Sequence, residues 1–189
     1  MAVAAGIMVP HPPLIVPDVG RGQEILIKDT IKAYQEAAGM AAELKPDTIV
    51  VISPHAVMYA DYFHVSPGKE ARGDFGRFMA PQIGVEAGYD EAFVRELDRL
   101  CGDDGFPMGT EGEREKELDH GTLVPLYFIN QHYRDYKLVR IGGSGLSFAD
   151  HYRAGRYIAR AAENLGRSVF IVASGDLSHK LRGDGPYGY

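Results

Sequence analysis

The sequence predicts an α/β fold of three layers, with a largely parallel or mixed central sheet and helices on both faces. Two observations predict it. Apolar runs of strand length alternate with longer stretches whose apolar residues recur every three or four positions, the pattern of strand–helix–strand units. Several of those runs are continuously apolar or β-branched, as expected of strands covered on both faces of a parallel sheet.

The elements follow in order. Val3 to Val9 is an apolar run that Pro10 stops, a short buried strand. From Gln23 to Leu44 the residues Ile27, Ile31, Tyr34, Ala38 and Ala41 share one helical face, and Pro46 and Asp47 end the helix. Thr48 to Ser53 (TIVVIS) reads as a central strand. Asp61 to Val65 is a weaker strand, and Pro67 to Pro81 reads as loop because of its glycines and prolines. Asp90 caps a helix to Leu100, and Gly102 to Gly112 is loop again. Gly121 to Tyr133 is helical in pattern, with Pro125 tolerated only if it falls in the first turn. Tyr136 to Ile141 is a strand leading into Gly142-Gly143-Ser144-Gly145. Ser147 or Asp150 opens a helix to Leu165 that Gly166 closes, and Ser168 to Ser174 (SVFIVAS) is a last buried strand.

Composition narrows the function. The chain has 189 residues, 26 acidic and 20 basic, for a net charge of −6. That balance argues against a general nucleic-acid binder, which needs a basic face to displace counterions. The single cysteine, Cys101, excludes a disulfide-stapled module and reads as part of an apolar helix face, not as a nucleophile. The apolar N-terminus is broken by Pro10, Pro12 and Pro13, so it reads as neither signal peptide nor membrane span, and the expected location is the cytoplasm.

The chemistry collects after the strands. Strand one ends in Pro10-His11, strand two in Ser53-Pro54-His55, and the last in Ser174-Gly175-Asp176-Leu177-Ser178-His179. In a parallel sheet these carboxyl ends share one edge, where open α/β folds bind ligands. His11 and His55 leave short rigid turns and are the metal candidates, since paired imidazoles suit Fe(II) sites and zinc alike. His179, with Asp176 near it, suits acid/base work, and Asp176 could equally be a turn or helix cap. His120 lies in Leu118-Asp119-His120-Gly121, where the glycine allows substrate or backbone to approach closely. His64, His132 and His151 fall at packed or surface positions. The Gly142–Gly145 run follows a strand but lacks both the phosphate-loop and nucleophile-elbow patterns, so close backbone packing explains it better.

Four motifs in this order carry a family resemblance: MVPHPPLIVP at Met8–Pro17, VVISPHA at Val50–Ala56, LDHGTLVPLYF at Leu118–Phe128 and SGDLSHKL at Ser174–Leu181. Together they resemble the class III extradiol ring-cleavage dioxygenases of the B-subunit (LigB-like) type. That superfamily also contains the Memo proteins, and the wording of the last motif is most similar to the AmmeMemoRadiSam branch. The resemblance implies iron binding by His11 and His55. It implies acid/base work by His179 and a role for His120 beside the substrate or oxygen. The implied cofactor is Fe(II), with zinc as an alternative occupant, and the implied partners are a catecholic or related aromatic substrate and O2. A Memo-like protein would instead use the same pocket for binding without ring cleavage. Ring-cleaving members take a third ligand, a glutamate, well downstream of the last histidine. No motif here supplies that glutamate, and Asp61, Asp119 and Asp176 are the candidate substitutes. Residues 1–189 therefore read as a single LigB-like catalytic domain that lacks its C-terminal part, with an exposed sheet edge that invites pairing between copies.

Overall fold

A computed structural model describes residues 2–176 and 183–184. The strands β1 (Val3–Val9), β2 (Thr48–Ser53), β7 (Lys137–Gly142) and β8 (Val169–Ser174) form one sheet in the order β1-β8-β2-β7. Every pairing in it is parallel. All four carboxyl ends therefore lie on one edge, as the alternation of strands and helices predicts.

Between β1 and β2 the chain makes one helical turn, α1 (Pro17–Gly20), a 3-10 turn at Gln23–Ile27, and the long helix α2 (Lys28–Leu44). The expected helix from Gln23 thus begins as 3-10 and turns α-helical only at Lys28. Tyr34, Ala38 and Ala41 are its buried positions. After β2 come β3 (Phe63–His64), β4 (Glu70–Phe75), β5 (Ala80–Gly88), α3 (Glu91–Asp103) and β6 (Met108–Gly109). Asp90 caps α3 by accepting the Phe93 amide hydrogen, as its position predicts. Helix α4 (His120–Ile129) precedes β7, and α5 (Phe148–Leu165) joins β7 to β8. Ser147 is the α5 cap, and Gly166 ends that helix at φ 62°.

Two expectations are corrected here. The stretch read as loop from Pro67 to Pro81 is mostly the antiparallel hairpin β4–β5. Its strand β4 alternates exposed Glu70, Arg72 and Asp74 with Ala71, Gly73 and Phe75, of which Ala71 and Phe75 are buried. That two-residue period is masked in the sequence by charge and glycine. Pro125 is the sixth residue of α4, beyond the first turn where proline is free of helical hydrogen bonding.

Alternate residues of the strands feed two cores. Ile49, Val51, Leu138, Phe170 and Val172 pack with Tyr34 and Ala38 of α2 and Leu123 and Leu126 of α4. Val50, Val139, Ile141 and Val169 pack with Phe93 and Leu97 of α3 and Ile158 and Ala161 of α5. The sheet is thus the middle of three layers, and β2, β7 and β8 are largely buried because both faces are covered. By contrast β1, expected to be buried, is an edge strand with only Val9 buried and Met8 61% exposed. Cys101 lies in the second core, and burial pushes its thiol up to about 12. Among the described residues no helix is long and apolar enough to cross a membrane.

Candidate metal centre

Three histidines meet at the carboxyl edge of the sheet. His11 follows β1, His55 follows β2, and His120 is the first residue of α4. One ring nitrogen from each lies within 4.8 Å of the others. The His11 and His55 Nε2 atoms are 3.0 Å apart, and the His55 and His120 ring centroids 4.0 Å apart. Phe78 of the hairpin turn closes on His120 at 5.4 Å between centroids.

The donor set fits a metal ion. Two nitrogens each about 2.1 Å from one ion, at roughly a right angle, stand about 3.0 Å apart. That is the separation His11 and His55 already have. Beside that pair, burial, then the neighbouring His55 and His11 rings, lower the pKa of His120 to about 4, so its ring is neutral near pH 7.

The turns and the helix that carry the rings are fixed from behind, and the His11 ring itself is held by Ser174. The Tyr34 hydroxyl donates to the Pro10 carbonyl and so anchors the turn that presents His11. His11 Nδ1 lies 2.9 Å from Ser174 Oγ at the end of β8, and Ser174 Oγ lies 2.5 Å from the Gly121 carbonyl. A carbonyl only accepts, so Ser174 donates to Gly121 and accepts from His11 Nδ1–H. His11 then carries its proton on Nδ1 and a lone pair on Nε2, the nitrogen facing His55.

His55 and His120 share a second support. The His55 amide donates to Ser53 Oγ at 3.2 Å, and Ser53 Oγ donates to Asp119 Oδ1 at 2.5 Å. Asp119 also caps α4 through the Thr122 amide and hydroxyl. Its carboxylate is thereby occupied in fixing the helix that begins at His120. A Cβ on Gly121 would sit 2.4 Å from Ser53 Oγ and 3.3 Å from the His55 ring, so the glycine lets α4 dock against β2. The close approach at this glycine is made by the Ser53 and His55 side chains.

Behind Asp119 lies Arg140, only 1% exposed in the middle of β7. Its guanidinium donates to Ser66 Oγ and to the Glu115 and Glu117 carbonyls, and stands 3.8 Å from the Glu113 and 4.0 Å from the Asp119 carboxylates. Sequence reasoning missed Arg140, Ser53 and Ser174. Their signals were present: a cation inside the run Leu138–Ile141, and a serine closing each of two apolar strands.

The other candidates are placed as follows. Asp176 is exposed just past β8, and its charge reaches both Tyr34 and His120. His179 lies outside the described residues. His64 is buried with its ring nitrogens at the Glu111 carbonyl and the Glu113 carboxylate. His132 bonds Gln35 on the surface, and the His151 ring packs on Phe63. The Gly142–Gly145 run is a close-packing device: a Cβ on Gly142 would meet the Val57 carbonyl at 1.9 Å. A cleft of about 1030 Å³ beside the hairpin, lined in part by Arg72, Glu117, Tyr127 and Arg134, contains none of the described histidines.

Comparison with known proteins places this arrangement. A Clostridium acetobutylicum protein is 40% identical, aligned over 96% of this chain and 40% of its own length. The 3,4-dihydroxyphenylacetate 2,3-dioxygenase of Escherichia coli is 26% identical over 82% of this chain and 57% of its own. A MEMO1 family protein of Methanocaldococcus jannaschii is 25% identical over 78% of this chain and 47% of its own. The chain thus spans about two-fifths to three-fifths of the length of these relatives. Residues 5–189 match the family model of the catalytic LigB subunit of aromatic ring-opening dioxygenase. With its parallel sheet and its histidines gathered on one edge, the chain belongs to the LigB family.

Proposed function

We propose that the chain is an Fe(II)-dependent, extradiol-type oxidoreductase that acts on a catecholic or related aromatic substrate. The observation that carries the reading is the convergence of His11, His55 and His120, with ring nitrogens within 4.8 Å, at the ligand-binding edge of a LigB-family sheet. The dioxygenase relative supports the aromatic substrate class.

His11 and His55 hold the ion, His11 through Nε2 because its Nδ1 proton is engaged by Ser174. Fe(II) held there would supply redox chemistry and a template for the substrate. His120, neutral above about pH 4, presents a ring nitrogen beside that pair as a hydrogen-bonding group for the substrate. Phe78 shields its outer face from water. His179 is proposed as the group that takes a hydroxyl proton from the substrate and returns it, and Asp176 as the carboxylate that stabilises the charged ring.

The test is anaerobic loading with Fe(II), then a panel of catechols and air. The reading expects O2 uptake and a yellow ring-fission product, both lost in His55→Ala. Loaded protein that consumes no O2 across the panel contradicts it. The MEMO1 family relative supports a second reading, a binding protein that uses the same pocket without ring cleavage. Under that reading a partner is retained after His179→Ala and after chelation. Elemental analysis of anaerobically purified protein separates iron from zinc.

A further inference from the structure

We infer that Pro125 is a positioning residue for His11: by withholding an amide hydrogen from the Gly121 carbonyl, it leaves that oxygen to Ser174, which fixes the tautomer of the His11 ring. The consequence for metal binding rests on the reading above; the link from proline to ring stands on geometry alone.

In an α-helix the amide of residue 125 would bond the carbonyl of residue 121. Proline has no amide hydrogen, and its ring crowds the carbonyl four residues back. Pro125 is the sixth residue of α4, so the orphaned carbonyl belongs to Gly121 in the first turn, beside His120. Gly121 is buried, and a buried carbonyl without a donor is costly. Ser174, 6% exposed at the end of β8, supplies the donor at 2.5 Å. Its one hydroxyl hydrogen is thereby directed away from His11, and its lone pairs face His11 Nδ1 at 2.9 Å.

An amide at position 125 changes this balance. It brings a second donor to the Gly121 oxygen and removes the proline ring that crowds it. The Gly121 oxygen has two lone pairs, so it can keep Ser174, but it no longer depends on it. The Ser174 hydroxyl becomes able to rotate and donate to His11 Nδ1, which places the ring proton on Nε2. That is the nitrogen 3.0 Å from His55 Nε2, so the site exchanges a ligand lone pair for a proton. A helix-interior proline, unfavourable for the helix itself, thereby acquires a role in the site that begins five residues earlier.

The experiment uses the full chain, metal-free and labelled with 15N-histidine. Long-range proton–nitrogen spectra report which His11 nitrogen carries the proton, and Co(II) titration by visible absorption reports affinity. Wild type is expected to hold the His11 proton on Nδ1. Pro125→Ala is expected to give a mixture with a substantial Nε2–H population, and to weaken Co(II) binding about tenfold with the melting temperature unchanged or raised. Pro125→Ser supplies the same amide and is a second reading of the same effect. In a Ser174→Ala background Pro125→Ala is expected to add nothing. Wild-type His11 protonated on Nε2, or Pro125 variants with wild-type ring signals, overturns the inference. Failure of wild type to bind Co(II) or Fe(II) overturns the metal reading instead, and the ring signals still decide this one.

Discussion

Burial and two neighbouring rings disfavour a proton on His120, so this residue gives the most direct electrostatic test. Burial and the His55 and His11 rings depress its pKa from 6.5 to about 4 in the folded state. As pH falls below about 6.5, the unfolded chain takes up this proton before the folded one does. The folded metal-free protein therefore loses stability between about pH 6.5 and 4, and this group causes no further loss below that. Urea midpoints across that range, with the His120 ring resonance followed in parallel, check the sign; a midpoint that rises on acidification contradicts it. Cys101 gives a second residue-scale prediction. Its thiol, buried and raised to about 12, should resist alkylation at pH 8 until the protein is unfolded by denaturant. Rapid labelling of the native protein would contradict the packing of the second core.

Helix α4 is the element through which the site is organised. Its cap Asp119 holds Ser53, its first residue is His120, its second residue bonds Ser174, and its glycine admits β2. Gly121→Ala should therefore destabilise the fold by about 1–3 kcal/mol although alanine is the better helix former. Denaturant unfolding measures this, and weakened Co(II) binding should accompany it. Arg140 acts on the segment before the helix. Arg140→Met strips the Glu115 and Glu117 carbonyls of their buried donor and leaves Glu113 and Asp119 uncompensated, at a cost of about 3 kcal/mol. A change below about 1 kcal/mol in the same unfolding experiment would show that the segment is held by other contacts. Elements differed in how openly the chain announced them. The strands β1 and β2 were legible to the residue because an apolar run ends at a proline in one and before a Ser-Pro pair in the other. The hairpin β4–β5 was not, because glycines and charges stand where its pleat exposes one face. Pro125 was misplaced because its lost hydrogen bond is replaced by a serine 49 residues away, a compensation that no local pattern shows.

At the scale of the molecule, the order β1-β8-β2-β7 brings the segments after β1 and β2 to one edge, and α4 delivers His120 to the same place. The convergence of His11 and His55 was legible because parallel strands end together, which follows from alternation and apolar runs alone. What was not legible was the support behind them. Ser53, Ser174 and Arg140 look ordinary in sequence and gain meaning only when strands 100 residues or so apart become neighbours, as in the pairing of Ile52 with Ala173. Asp119 is committed to capping α4, while a third imidazole stands within the reach of the first two. On the proposed function, this one edge holds one metal ion. Anaerobic Fe(II) titration of the whole chain, read as bound iron per chain, tests it most directly. One ion per chain in wild type, abolished in His11→Ala and in His55→Ala while both variants remain folded, is the predicted result. Iron binding that survives both substitutions, or wild-type protein that binds none, would contradict it.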